Sequence, residues 1–208
     1  MQLEISLNNF VCSLMMKRRV TLQIKWIFDV LVAIFLILLL SPLLLLISLI
    51  IKLESPGPVI FKHKRIGENE KPFKMWKFRT MVNRADLVGP GLTKPDDRRI
   101  TKFGRFLRRT SLDELPQLLN VLCGQMSLVG PRPEIPEIVD TYTLQQKRAL
   151  SIKPGITGLS QINGRDDLPI HDKLNYEIDY IDKLSLALDI KILIKTIPAI
   201  IRATGNRY

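Results

Sequence analysis

Residues 108–134 read R-R-T-S-L-D-E-L-P-Q-L-L-N-V-L-C-G-Q-M-S-L-V-G-P-R-P-E. A knot of arginines opens the stretch, and two adjacent carboxylates, Asp113 and Glu114, follow it. Leu118, Leu119, Val121 and Leu122 predict a helix that stops at Gly124, a suitable residue just past a C-terminus. Pro116 fits the first turn of that helix, which puts Asp113 near its N-cap. At the back of the stretch, Gly130-Pro131-Arg132-Pro133 is a stiff turn in which Pro131 and Pro133 aim Arg132. An acid pair at a helix start is ordinary capping and dipole chemistry. The same helix end is also a natural anion site, and carboxylates set among cations suit a metal–diphosphate complex.

Working upstream, Ile100, Phe103 and Leu107 recur at helical spacing, with Arg98, Arg99, Lys102, Arg105, Arg108 and Arg109 around the rest of the helix. Residues 82–97 hold Gly89-Pro90-Gly91 and Lys94-Pro95-Asp96-Asp97, a loop without the spacing of a phosphate-binding P-loop. Residues 72–81 alternate: Phe73, Met75 and Phe78 interleave with Lys74, Lys77 and Arg79. Together with Val59-Ile60-Phe61 and the polar turn 64–70, this predicts a β-hairpin with a basic face. Glu54-Ser55-Pro56-Gly57-Pro58 is a turn.

Before that turn lies an apolar run from Trp26 to Ile51, interrupted by Asp29, Ser41, Pro42 and Ser48. Twenty-six helical residues reach roughly 39 Å, enough for a hydrocarbon core of about 30 Å. Pro42 favours a kink, and Ser41 is placed to bond a carbonyl that the proline leaves unpaired. Both flanks are basic: Lys17, Arg18, Arg19 and Lys25 before, Lys52, Lys62, Lys64 and Arg65 after. A spanning helix wants its positive charge on one side. A helix that enters, bends at Ser41-Pro42 and leaves on the same face satisfies both flanks; a kinked span is the other reading. Residues 1–21 read as a lead-in, 22–53 as the membrane helix, and 54–208 as the folded domain that carries the acid pair.

Downstream of Glu134, an amphipathic helix is expected over Ile138–Leu150, then a tight loop, Lys153-Pro154-Gly155-Ile156-Thr157-Gly158, whose backbone can approach a ligand closely. Gln161-Ile162-Asn163-Gly164-Arg165 adds a cation. Helices are expected over 174–184 and 187–203. In the last, Ile190, Leu193, Ile194, Ile197, Ile200 and Ile201 form an apolar stripe, expected to pack on the core with partial contact to the membrane interface.

The chain carries 208 residues, a formal net charge of +11 and 46% apolar residues. Between Lys62 and Arg109 there are 15 Lys and Arg against five Asp and Glu, so most of the excess sits on one segment. Such a field suits nucleic acid, anionic headgroups or a phosphorylated small molecule. Cys12 and Cys123 lie far apart, which argues against a disulfide framework or a structural zinc site. His63 and His171 have no motif context and read as surface or loop histidines.

Taken together, Ser41-Pro42, S-P-G-P-V-I-F-K at 55–62, K-F-R-T-M at 77–81, Asp96 to Arg99 as D-D-x-R, S-L-D-E-L-P-Q-L-x-N-V-L at 111–122, S-L-V-G-P-R-P at 127–133 and K-P-G-I-T-G-L-S-Q-I-N-G-R at 153–165 resemble the bacterial sugar transferase family, the monotopic phosphoglycosyl transferases. Each piece alone is weak; seven in the family's order over about residues 22–205 are specific. One departure is Trp26, where relatives often carry an arginine, and it touches only a headgroup contact.

The resemblance implies an α+β fold: a mainly helical compact domain with a small β-hairpin, attached to a re-entrant helix kinked at Ser41-Pro42. It implies the cytoplasmic face of the bacterial inner membrane, a UDP-sugar and polyprenyl phosphate as substrates, and downstream glycosyltransferases as users of the product. Asp113 would be the nucleophile, Glu114 its assistant, and both would hold Mg²⁺ (or Mn²⁺), with the helix end and nearby arginines keeping Asp113 ionised. Arg108 and Arg132 would clamp phosphate, with Lys77, Arg79 and Arg165 as further phosphate or carrier contacts, and Pro131 and Pro133 stiffening the clamp. Two other readings of the basic field are a membrane-tethered nucleic-acid binder and a non-catalytic lipid-binding scaffold. The first lacks aromatic platforms or a helix-turn-helix reader, and no nucleic acid is expected as a partner. Both leave Asp113-Glu114 unexplained.

Overall fold

The computed structural model describes residues 2–85, 97–164 and 167–201, with side chains described from 16 onward and at Cys12. Residues 86–96 of the expected loop at 82–97, including the first Asp of D-D-x-R (Asp96), and Arg165 fall outside the described residues.

The first element, α1 (Gln2–Glu54), takes in both the lead-in and the apolar run as one helix. It passes through Ser41-Pro42 without a break, so the expected bend is not a break in the helix. The reason is local. Pro42 has no N–H for the carbonyl of Leu38, and Ser41 Oγ donates to that carbonyl instead, at 2.8 Å. The helix is apolar all round, yet only one side meets protein. Ala33, Ile47 and Ile51 are buried, while Leu31, Phe35, Leu38, Leu45 and Leu49 are exposed. These two sets recur three and four residues apart, as opposite faces of one helix do.

The hairpin forms as the alternation predicts. Strand β1 (Ile60–Ile66) pairs antiparallel with β2 (Pro72–Phe78), in the register Ile60↔Phe78 to Ile66↔Pro72. Helix α2 (Lys102–Thr110) is capped by Thr101, whose side chain accepts from the Gly104 amide. A 3-10 turn, Leu112–Glu114, follows, then α3 (Gln117–Leu122). Asn120 of α3 is fully buried and stitched to the hairpin: its Oδ1 accepts from the Trp76 amide at 2.9 Å and its Nδ2 donates to the Lys74 carbonyl at 2.8 Å. Beyond lie β3 (Ser127–Val129), α4 (Pro136–Val139), β4 (Gly155–Thr157), α5 (Leu159–Ile162), α6 (Ile170–Asp182) and α7 (Leu186–Ile201).

Several sequence expectations change. The helix expected over 138–150 is two pieces, α4 and a 3-10 turn over Gln146–Leu150. Thr143 and Gln146 form a reciprocal capping box, Thr143 N to Gln146 Oε1 and Gln146 N to Thr143 Oγ1, which starts a new turn instead of continuing the old one. The loop at 153–158 contains β4, which pairs in parallel with β3. Of the stripe on α7, Leu193 packs on the core, and most of the rest is open. Ile190, Ile194, Ile197 and Ile201 are exposed, and Asp189 and Ile192 are the buried residues. His63, expected on a surface or loop, sits half-buried in β1, where burial and the neighbouring Arg65 push its pKa down to about 4.

The larger core gathers Met75, Leu118, Val121, Met126, Leu128 and Tyr180, with Leu22, Phe28, Val32, Leu36 and Ile37 of α1 packed on it. A second cluster joins Ile47 and Ile51 of α1 to Phe78 and Leu107. Polar ties reinforce the first contact: Lys25 Nζ lies 2.7 Å from Asp189 Oδ2, and Ser127 Oγ donates to Asp29 Oδ2 at 2.6 Å. The fold is thus α+β, a mainly helical domain with a small hairpin, seated along a long apolar N-terminal helix.

Candidate active site

Helix α2 ends at Ser111, whose φ of 56° is left-handed and turns the chain back on itself. The reversal carries Asp113 beneath the basic last turn of α2. Asp113 lies inside the 3-10 turn, and no side-chain cap bond is made at that turn's start. Pro116, not Asp113, is the N-cap of α3, and no side-chain bond caps that helix. The Asp113 side chain is buried, and burial pushes its pKa up to about 6; Lys77 pulls it down, Glu114 pushes it up, and Arg108 pulls it down. The sequence expectation was that cations would dominate, but desolvation outweighs them.

Glu114 is the meeting point of the site. Its Oε1 lies 2.7 Å from Lys77 Nζ, which β2 supplies, and 4.0 Å from an Arg132 guanidinium nitrogen. Arg108 Nε donates to Thr80 Oγ1 at 2.7 Å, which holds the arginine over the end of the hairpin. Asp113, Glu114, Lys77, Arg108 and Arg132 are thereby gathered from α2, the 3-10 turn, β2 and the Pro-Arg-Pro turn. Arg65, Lys77, Glu114, Gln117, Arg132 and Ile156 line a small cleft between them.

The Pro-Arg-Pro turn is pinned by its backbone. Gly130 N donates to Thr157 O at 2.9 Å, and Gly155 N donates to Pro131 O at 2.8 Å. A Cβ on Gly155 would sit 2.1 Å from the Gly130 amide nitrogen, so only glycine allows this approach. From the hairpin, Ile66 N donates to Glu134 O at 2.9 Å. From α6, the carboxyl of Glu177 meets Ser160 Oγ and accepts from the Arg132 amide.

Arg79 does not join the site. It is buried, and its guanidinium donates to the Pro56 carbonyl at 2.8 Å, the Ser55 carbonyl at 2.7 Å and Ser55 Oγ at 3.0 Å. It fastens the end of α1 to the hairpin, so the expected phosphate contact gives way to a structural one. Burial lowers its pKa. Asp97 and Arg99 of the D-D-x-R piece also pair with each other, at 2.6 Å, and Arg99 donates to the Ala85 carbonyl. Sequence reasoning missed Arg65, Asn120 and Glu177. Glu177 had a signal: Leu174, Glu177 and Ile181 share one helical face, and an acid in a core stripe calls for partners.

Residues 20–203 match the model of the family described as Bacterial sugar transferase. An uncharacterized sugar transferase, EpsL, of Bacillus subtilis (strain 168) is 44% identical over 182 residues, 88% of this chain and 89% of that protein. The UDP-glucose:undecaprenyl-phosphate glucose-1-phosphate transferase of Caulobacter vibrioides is 43% identical, over 88% of this chain and 72% of that protein. The Escherichia coli (strain K12) protein of the same name is 46% identical over 81% of this chain, which spans only 38% of its length.

Proposed function

This chain belongs to the bacterial sugar transferase family, and we propose that it transfers a sugar 1-phosphate from a UDP-sugar to polyprenyl phosphate at the cytoplasmic face of the inner membrane. The observation that carries this reading is the buried Asp113, set beside Glu114 and ringed by Lys77, Arg108 and Arg132. A nucleic-acid or lipid scaffold has no use for a buried carboxylate beside a small cleft lined by Lys77, Glu114 and Arg132. The names of the Caulobacter and Escherichia coli relatives support both substrates and the reaction.

The chemistry proposed is the one that the resemblance to the family implies for these residues. A carboxylate oxygen of Asp113 attacks the β-phosphorus of the UDP-sugar. The bond from that phosphorus to the bridging oxygen breaks, and UMP leaves with the bridging oxygen and its electron pair. A phosphosugar–aspartyl bond remains, so one transfer becomes two easier ones. A phosphate oxygen of the polyprenyl carrier then attacks the same phosphorus, Asp113 departs as carboxylate, and a diphosphate links carrier and sugar. Arg108 and Arg132 hold the phosphates, and Lys77 offers a further cation while orienting Glu114. The product would feed glycosyltransferases that extend an exopolysaccharide or another glycan.

The donor set fits Mg²⁺ or Mn²⁺. Among the described residues no three His, Cys, Asp or Glu side chains converge, so the protein offers two adjacent carboxylates and not a full cage. Mg²⁺ is commonly held by one or two carboxylates, with substrate phosphates and water completing its shell. Asp113 and Glu114 would hold the ion, which when bound neutralises diphosphate charge. Chelation of divalent cations should stop turnover, and Mg²⁺ should restore it.

The test is UMP release from a panel of UDP-sugars by membranes containing the protein and polyprenyl phosphate. Release should depend on both substrates. Asp113→Asn should cut it on the order of 10³-fold or more and abolish the covalent adduct that mass spectrometry detects in the parent. Substantial turnover in Asp113→Asn would move the nucleophile elsewhere, and no UMP from any UDP-sugar would end the enzyme reading.

A further inference from the structure

Arg65 stands out among the charged groups that the reaction above does not use. It is at the far end of β1, opposite Phe73, and its side chain is only 16% exposed. One guanidinium nitrogen donates to the Pro133 carbonyl at 3.2 Å and lies 3.3 Å from Glu134 Oε2. The adjoining Ile66 amide donates to the Glu134 carbonyl. Both contacts fall immediately after Arg132. The same hairpin carries Lys77 on its other strand, bonded to Glu114. The hairpin therefore touches both sides of the cleft, the acid pair through Lys77 and the arginine turn through Arg65.

We propose that Arg65 is a positioning residue that fixes the Pro-Arg-Pro turn to the hairpin and so holds Arg132 beside Glu114, 4.0 Å away, where its guanidinium can meet a substrate phosphate. The inference rests on the reading of Arg132 as a phosphate clamp. The chemistry suits the role. A planar guanidinium can satisfy a carbonyl and a carboxylate at once, which a lysine ammonium does with less geometric control. Pro131 and Pro133 have no amide hydrogen, so the turn offers few backbone donors of its own. Gly130 N is used on Thr157 and Arg132 N on Glu177. The C-terminal half of the turn consequently depends on donors from the hairpin: Arg65 meets the Pro133 carbonyl and the Ile66 amide meets the Glu134 carbonyl.

A double-mutant cycle in the full-length, detergent-solubilised protein tests this, with UDP as the probe, Mg²⁺ present and Kd read by calorimetry. Arg132→Ala should weaken UDP binding about ten-fold, the loss of one charge-assisted contact. Arg65→Met should weaken it by a similar factor, and Arg65→Lys by less. In the Arg132→Ala background Arg65→Met should add less than two-fold, because its effect passes through Arg132. A purely structural role would lower Tm in both backgrounds and leave the ratio of Kd values additive. If Arg132→Ala weakens UDP binding and Arg65→Met adds its full factor on top, the inference is overturned and the clamp stands. If Arg132→Ala binds UDP as the parent does, the clamp reading falls and takes the inference with it. Should Arg65→Met fail to fold, the same cycle with Arg65→Lys decides.

Discussion

At the scale of single residues, burial decides which charges do chemistry. Lys77 and Arg79 look equivalent in sequence, two cations on alternate positions of one strand. The pleat ends at Phe78, the Arg79 amide turns to the Val59 carbonyl, and its side chain dives into the turn after α1. Arg79→Met should therefore lower stability by roughly 3 kcal/mol, since several carbonyl acceptors lose their donor. The folded fraction should bind UDP with parental affinity in calorimetry; a weakened Kd would return Arg79 to the site. Glu177 makes the opposite point, a charge the sequence did not single out. Burial pushes its pKa from 4.5 up to about 7, against the pull of Ser160 and Arg132 and with some push from Glu134. Tyr142 also feels its charge. A carboxyl raised on folding favours the native state while protonated. Its contribution is fully present below pH 4.5 and is lost as pH rises through 7, up to roughly 3 kcal/mol. Denaturant titrations at pH 5 and 8 should show a smaller fall for Glu177→Gln than for the parent; equal falls would mean that Glu177 ionises freely in the fold. Asp113 itself was legible as an acid pair among arginines. Its burial was not, because the left-handed Ser111 that tucks it under α2 is a non-glycine residue without a local signature.

At the scale of elements, what could be read was periodic and what was missed was short. The hairpin, α2, α6 and α7 follow alternation or helical spacing and lie near their expected positions. Strands β3 and β4 are three residues each and pair across a separation of 28 positions, so no local pattern announces them. The break between α4 and the next turn did have a signal, the T-L-Q-Q capping box at 143–146, which an amphipathic reading of 138–150 passes over. Close packing of α2 is equally specific. A Cβ on Gly104 would sit 2.1 Å from the Thr80 carbonyl oxygen, a backbone atom that cannot swing aside. Thr80 also accepts the Arg108 hydrogen bond. Gly104→Ala should cost about 1–3 kcal/mol by overpacking and, by lifting α2, should reduce UMP release more than a surface alanine of equal Tm does. Unchanged turnover at a lowered Tm would separate α2 packing from the placement of Arg108.

At the scale of the whole molecule, the question is how one domain and one long helix share a membrane. Residues 16–54 are 39 in number with mean hydropathy up to 3.2, so α1 is long and apolar enough to cross by composition. Both ends of the run pack on the folded domain. Near its start, Leu22, Phe28 and Val32 pack on the main core, and Lys25 is tied to Asp189 of α7. Near its end, Ile47 and Ile51 pack with Phe78 and Leu107, and Arg79 grips Ser55. The span from Lys25 to Ile51 is roughly 39 Å of helix, longer than a hydrocarbon core of about 30 Å. Both ends are thus bound to the same folded domain, which a helix standing across the bilayer could not manage unless that domain were itself immersed. The exposed face, with Leu31, Phe35, Leu38, Leu45 and Leu49, is left for lipid, and the exposed stripe of α7 offers a second apolar surface. The basic flanks pointed the same way, although they left a kinked span open. Met16 and Leu53 are exposed on either side of the run. In a variant with the exposed Cys12 and Cys123 replaced by serine, Met16→Cys and Leu53→Cys should react with an impermeant maleimide from one and the same face of the membrane. Labelling from opposite faces would require α1 to pull away from the domain at one end, breaking either the Lys25–Asp189 pair or the Arg79–Ser55 contact, and would make the compact arrangement a form the protein does not adopt in lipid.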